Sequence, residues 1–241
     1  ARVRISFSNW SAMCPRRFYV AQDRSPLVIN EIHYHADSIC RNVDWNETEY
    51  LEIKNTGNAT LNMTDCRFSS GITYTFPWNA TIGPGQIIVL AENALIFQQE
   101  FGFTPYDQYK GELSNDGETL KFVDYNNVVI DSVQFNDQNP WDEMPDGNGP
   151  SLELRDPSLN NADPINWFRS DQACAGTPGQ DNSRLCATAA TPIVINEINY
   201  NPVAIPNTGD WIELYNPNAS AVNISNWEFY DNENKYIIPS G

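Results

Sequence analysis

Leu27-Val28-Ile29-Asn30-Glu31-Ile32-His33-Tyr34 returns as Ile193-Val194-Ile195-Asn196-Glu197-Ile198-Asn199-Tyr200. In both places a polar loop follows, and then a second apolar run. That run is Glu49-Tyr50-Leu51-Glu52-Ile53-Lys54-Asn55 in the first copy and Asp210-Trp211-Ile212-Glu213-Leu214-Tyr215-Asn216 in the second. Leu61-Asn62-Met63-Thr64 and Val222-Asn223-Ile224-Ser225 extend the match. Order, spacing and chemistry recur together, which identifies an internal repeat. Each eight-residue stretch alternates and is rich in β-branched residues. It predicts a strand with Val28, Asn30, Ile32 and Tyr34 on one face and Leu27, Ile29, Glu31 and His33 on the other.

Working outward, Asn9-Trp10-Ser11 ahead of Cys14 resembles Asn166-Trp167-Phe168 ahead of Cys174. Residues 1–25 are therefore expected to be the tail of a preceding repeat or an N-terminal extension. Residues 26–181 are expected to form a complete sandwich-sized unit, 182–191 a linker, and 192–241 the first half of a second unit. Tyr236-Ile237-Ile238-Pro239 stands where the first copy has Tyr74-Thr75-Phe76-Pro77. Ala1 suggests a processed or incomplete start, so the sequence reads as one whole unit between two partial ones.

Within the complete unit, strands are expected at 27–34, 50–54, 60–68, 72–76, 86–90, 119–124, 128–135 and 151–155. Turn chemistry separates them, notably Asn55-Thr56-Gly57-Asn58, Ile82-Gly83-Pro84-Gly85 and Asn126-Asn127. One helix is expected over 91–101, where Leu95, Ile96, Phe97 and Phe101 share a side and Gly102 supplies a stop. Residues 156–170 read as loop, anchored by Trp167. Many short strands with one short helix describe an all-β sandwich.

The chain holds 31 acidic and 14 basic residues, for a net charge of -17. That balance argues against a nucleic-acid backbone or an anionic membrane surface as partner, since both attract basic surfaces. No apolar run approaches the roughly 18 residues that a membrane-spanning helix needs. Five cysteines, Cys14, Cys40, Cys66, Cys174 and Cys186, lie without a CxxC pair, which weakens a zinc reading. An oxidising compartment fits them better. A Cys174–Cys186 bond would staple a Gly/Pro-rich loop, and Cys40 and Cys66 both lie beside predicted strands. Reduced, buried thiols are the alternative. Asn-x-Ser/Thr occurs at Asn9, Asn46, Asn58, Asn62, Asn79, Asn218 and Asn223, with Asn62 and Asn223 at matching repeat positions. Their clustering in the front parts of the two copies suggests N-linked glycans and an extracellular, secreted or cell-surface glycoprotein. An Asn-rich bacterial surface protein with accidental sequons is the other reading.

Taken together, Val28-Ile29-Asn30-Glu31-Ile32, Tyr50-Leu51-Glu52-Ile53-Lys54-Asn55, Tyr74-Thr75-Phe76-Pro77 with Ile82-Gly83-Pro84-Gly85, Leu113-Ser114-Asn115-Asp116-Gly117-Glu118-Thr119-Leu120 and Gly149-Pro150-Ser151-Leu152-Glu153-Leu154 with Asn166-Trp167 resemble the lamin tail domain. The resemblance covers 27 to about 181 and half of a second copy from Ile193. It implies an immunoglobulin-like β-sandwich of the tandem type found in secreted proteins, and it brings no catalytic residues. The loop around Cys40 and the dense sequons depart from the family pattern.

Candidate chemistry is sparse. His33 and His35, with Asp37 nearby, would share a strand face and could share a metal, but the second copy has Asn199 and Asn201 there. Asp137, Asp142, Glu143 and Asp146 crowd one loop, and Asp231 and Glu233 alternate with amides in another. Oxygen donors of this kind make calcium the one cofactor to consider. Glu31 and Glu52 recur as Glu197 and Glu213, which favours a structural position over general acid–base catalysis. Trp10, Trp141 and Trp167 are expected to be core or loop anchors. No nucleophile elbow, phosphate loop or Cys/His pair is present, so no catalytic residue is expected. The expected function is a non-enzymatic extracellular structural glycoprotein whose partners are adjacent repeats or other copies of itself, assembled head to tail or by strand complementation. The alternatives are an accessory or carbohydrate-binding module of a secreted enzyme and a calcium-dependent adhesin.

Overall fold

A computed structural model describes residues 19, 21–36, 45–172, 175–183, 193–200, 209–217, 221–225, 227–230 and 235–239. The chain divides into two compact units, Ala1–Leu185 and Cys186–Gly241. In the first, strands β1 (Leu27–His33), β2 (Tyr50–Asn55), β3 (Leu61–Asn62), β4 (Arg67–Ser70), β5 (Thr81–Ile82) and β6 (Ile87–Ala91) precede helix α1 (Ala94–Phe101). Strands β7 (Asp107–Gln108), β8 (Glu118–Val123), β9 (Val129–Phe135), β10 (Leu152–Leu154) and β11 (Trp167–Arg169) follow it. The second unit holds β12 (Val194–Asn199), β13 (Trp211–Tyr215), β14 (Glu228–Tyr230) and β15 (Lys235–Ile237).

Two main sheets face each other in the first unit. One is six-stranded in the order β11-β10-β1-β2-β6-β7, and the other is β4-β8-β9, with β3-β5 as a short ladder beside them. The described pairings are antiparallel except β6 with β7. Between the sheets Ile29, Ile32, Leu51 and Ile53 meet Phe68, Leu120, Phe122, Val133 and Phe135, all buried. This is the immunoglobulin-like sandwich with one short helix, as the strand pattern predicts.

A bulge between Ile29 and Glu31 decides what β1 presents. Strict alternation would divide Leu27 and Ile29 from Ile32 and Tyr34. The extra residue instead turns all four into the core and sends Glu31 and His33 to the outer face. The Ile29 N–H is accepted by Asp131 Oδ2 at 2.6 Å. The predicted face assignment is thus corrected by one inserted residue.

Other expectations shift less. The helix starts at Ala94, after Asn93 Oδ1 accepts from the N–H groups of Leu95 and Ile96, and Gly102 closes it in the left-handed region. Residues 72–76 make only the isolated bridges Thr73 to Lys110 and Arg67 to Thr75, in place of a strand. The expected loop at 156–170 contains the single 3-10 turn Pro164–Asn166 and edge strand β11. Trp167 anchors it from the core, its Nε1–H donating to the Asn161 carbonyl at 2.8 Å. Cys66 is a fully buried free thiol, so its expected bond to Cys40 is not formed here. Its apolar surroundings push the thiol up to about 11, which suits an inert core residue. Cys14, Cys40, Cys174 and Cys186 lie outside the described residues.

Candidate functional site

The most concentrated polar chemistry lies on the outer face of the six-stranded sheet. Glu31 pairs in register with Glu52 on one side and with Glu153 on the other. Three carboxylates therefore stand in a row across β10, β1 and β2, and all three are fully buried. Burying charge in this way demands compensation. A strap, residues 175–183, lies over the row and supplies it.

Each of the six carboxyl oxygens has a hydrogen-bond partner. Glu31 Oε1 accepts from Tyr50 O–H at 2.5 Å, Ser151 O–H at 2.6 Å and Thr177 N–H at 2.8 Å. Glu52 Oε1 accepts from Gly179 N–H at 2.6 Å and its Oε2 from Asn30 Nδ2 at 3.0 Å. Glu153 Oε2 accepts from the N–H and the hydroxyl of Ser183, both at 2.7 Å. Thr177 Oγ1 lies 2.9 Å from Glu153 Oε1 and 3.3 Å from Glu31 Oε2. A hydroxyl has one proton for these two acceptors, so a proton resident on Glu31 Oε2 completes the bridge. Burial, with the Glu153 carboxylate beside it, pushes Glu31 up to about 7. Burial and the Glu31 charge raise Glu52 well above the usual range.

The strap is held by further bonds. Asn182 Nδ2 donates to the carbonyls of Asn30 (2.9 Å) and Leu154 (2.8 Å), and Asn30 Nδ2 donates to Asn182 Oδ1 at 2.7 Å. Lys54 Nζ pairs with Asp181 at 2.8 Å. A Cβ on Gly176 would lie 1.7 Å from Glu31 Oε1 and 1.9 Å from the Tyr50 hydroxyl, so no side chain fits there. A second buried carboxyl, Glu49, accepts from Leu113 N–H at 2.8 Å and Tyr109 O–H at 3.2 Å, and burial pushes it up to about 8.

This arrangement seals its acids from any substrate. A general acid or base must reach a reacting atom, and Glu31 and Glu153 are fully buried with the strap bonded to both. What the row does is fasten the end of the first unit to its own sheet. The pairing of Glu31 with Glu52 is legible in the sequence. Glu153 and the strap are not, because their partners lie more than a hundred residues from Glu31; the signal is Gly176-Thr177-Pro178-Gly179, a stretch whose backbone must approach something closely.

The other candidates separate. The His33 ring lies buried between two acceptors, the Thr48 and Gly149 carbonyls, each 3.2 Å from a ring nitrogen. His35 Nδ1 instead meets Asp146 at 2.6 Å, so the two histidines have different partners; Asp37 is outside the described residues. Asp137, Asp142, Glu143 and Asp146 line one open cleft together with Arg169. Asp142 is engaged there by Arg169, through its backbone N–H at 3.1 Å and its guanidinium at 3.3 Å. Among the described residues no three His, Cys, Asp or Glu groups converge tightly enough to hold a metal ion. Asp231 and Glu233 lie outside them. Trp141 and Trp167 are both buried, their ring centres 6.1 Å apart, and Trp10 is outside the described residues.

Of the sequon asparagines, Asn58, Asn62, Asn79 and Asn223 are exposed. Asn62 Oδ1 accepts from Thr64 N–H at 2.8 Å, and Asn223 Oδ1 accepts from Ser225 N–H at 2.9 Å, the same local turn at matching positions. Asn46 falls in the 3-10 turn Trp45–Thr48; Asn9 and Asn218 lie outside the described residues. No helix among the described residues is long and apolar enough to cross a membrane.

No curated protein matches the chain. The family described as Lamin Tail Domain matches residues 21–137 and again 187–241, the first covering β1 to β9 and the second β12 to β15. With that match spread over most of the chain and the sandwich it implies on the page, the chain belongs to the lamin tail domain family.

Proposed function

We propose that the chain is a non-enzymatic extracellular structural glycoprotein, built from tandem lamin-tail sandwiches that pack head to tail or exchange strands into a fibre or surface array. The observation that carries this reading is the second hairpin. β12 and β13 pair in the register of β1 and β2, with the same bulge, here between Ile195 and Glu197. Yet Ile195 and Ile198 are more than half exposed where Ile29 and Ile32 are sealed. Ile198 lines one apolar groove with Trp211, Ile212, Leu214, Phe229 and Tyr236. Apolar surface left in water forgoes about 25 cal/mol per Å², and an unpaired strand edge invites addition. Strands from further along the chain, or from a neighbouring copy, are the natural cover.

Two further features support the reading. The family is one of non-catalytic, immunoglobulin-like domains, and the acids of the first unit are buried under the strap. The exposed sequons would carry their glycans away from the sandwich core, and the partners are then adjacent repeats, other copies and N-linked glycans. Electron microscopy of native material, with intact mass measured before and after removal of N-glycans, tests the proposal. Regular filaments of subunits that lose several glycans are expected. A monodisperse monomer of unmodified mass would overturn it.

A further inference from the structure

In the first unit the carboxylate row is recognised by a peptide segment. Three backbone N–H groups, those of Thr177, Gly179 and Ser183, point at Glu31, Glu52 and Glu153, and Gly176 passes where no side chain fits. The second hairpin carries the receiving half of the same device. Glu197 stands opposite Glu213 as Glu31 stands opposite Glu52. Asn196 Nδ2 donates to Glu213 Oε1 as Asn30 Nδ2 donates to Glu52 Oε2. What differs is the cover: Glu31 and Glu52 are buried, and Glu197 and Glu213 are exposed.

We propose that Asn196, Glu197 and Glu213 form a docking site for a second strap, an extended Gly-Thr-Pro-Gly segment that offers its backbone N–H groups to the two carboxylates. The first unit serves as the internal comparison, since there the equivalent residues bind such a segment. Backbone N–H groups aimed at carboxyl oxygens fix the register of the segment, and a glycine is required where the segment crosses the first glutamate. Trp211 occupies the register position of Tyr50, so Glu197 lacks the hydroxyl that Tyr50 gives Glu31 and depends more on the strap. The proposal rests on the tandem reading and adds to it. Docking of such a segment buries the acidic face of the second hairpin as its counterpart does in the first unit.

The test extends the full chain after Gly241 with a copy of residues 80–183, so that the second hairpin is offered the strands and strap of the first unit. Amide hydrogen exchange is read in β12, β13 and the appended strap, with the first unit as control. The expected result is protection of β12 and β13 together with exchange more than about 100-fold slowed at the appended copies of Thr177 and Gly179. Gly176→Ala in the appended copy, or Glu213→Gln in the hairpin, should release the strap and leave β12 and β13 protected. Protected hairpin strands with a strap that exchanges at free-peptide rates would overturn the docking site while leaving tandem completion intact. Hairpin strands that remain unprotected would overturn both.

Discussion

Ile32 and Ile198 are the same residue at the same register position of two hairpins with the same bulge, one wholly buried and the other 58 % exposed. The hairpin's own sequence sets pairing, bulge and the asparagine–glutamate bond, because all three depend on contacts within about 25 residues. Burial depends on distant chain. In the first unit the core face is covered by β8 and β9, and the acidic face by a strap about 150 residues further on. Local structure and stability are therefore separable here, and paired substitutions can measure the separation.

The largest difference is expected from Ile32→Ala against Ile198→Ala. The first opens a cavity in a closed core and should cost roughly 2–5 kcal/mol. The second alters an exposed side chain and should stay within about 0.5 kcal/mol. Calorimetry that resolves the two units would check both, and equal effects would break the comparison.

Next is pH. On folding, burial raises Glu31 from its ordinary 4.5 to about 7 and Glu49 from the same value to about 8. The folded first unit thus holds protons that the unfolded chain has released over that interval. Their stabilisation is complete below about pH 4.5 and is lost as pH rises through 7 to 8. Thermal melting of the first unit should occur at higher temperature at pH 5 than at pH 8.5, and Glu31→Gln should flatten the slope. A melting temperature that climbs with pH would contradict the buried-acid account.

A smaller effect, roughly 1–3 kcal/mol, is expected from Gly176→Ala, which drives a methyl group into Glu31 and Tyr50. Limited proteolysis should then cut within 175–183. The smallest contrast is Asn30→Ala against Asn196→Ala. Asn30 bridges Glu52 and Asn182 in a buried site, so its loss should cost about 1–3 kcal/mol, whereas that of Asn196 should be near zero in urea unfolding.

The all-β character and most strand positions were legible in the sequence because periodicity and turn chemistry are local. The bulge at Ile29–Glu31 was not, since a single inserted residue leaves the apolar pattern almost unchanged while reversing which side chains face inward. Strand β11 escaped for a similar reason: Trp167-Phe168-Arg169 is too short to show a period and is a strand only because β10 pairs with it. The paired glutamates could be found from their recurrence. Glu153 and the strap could not, because nothing near them in sequence announces the acids they meet. Cys66 is a free thiol among the apolar side chains of the core, and Cys40 lies outside the described residues.

Amide hydrogen exchange, compared between native assembled material and dilute single chains, tests the central claim most directly. The account predicts that β1 and β2 are equally protected in both, and that β12 and β13 exchange quickly in single chains and slowly in the assembly. Protection of β12 and β13 equal to that of β1 and β2 in dilute single chains would contradict it.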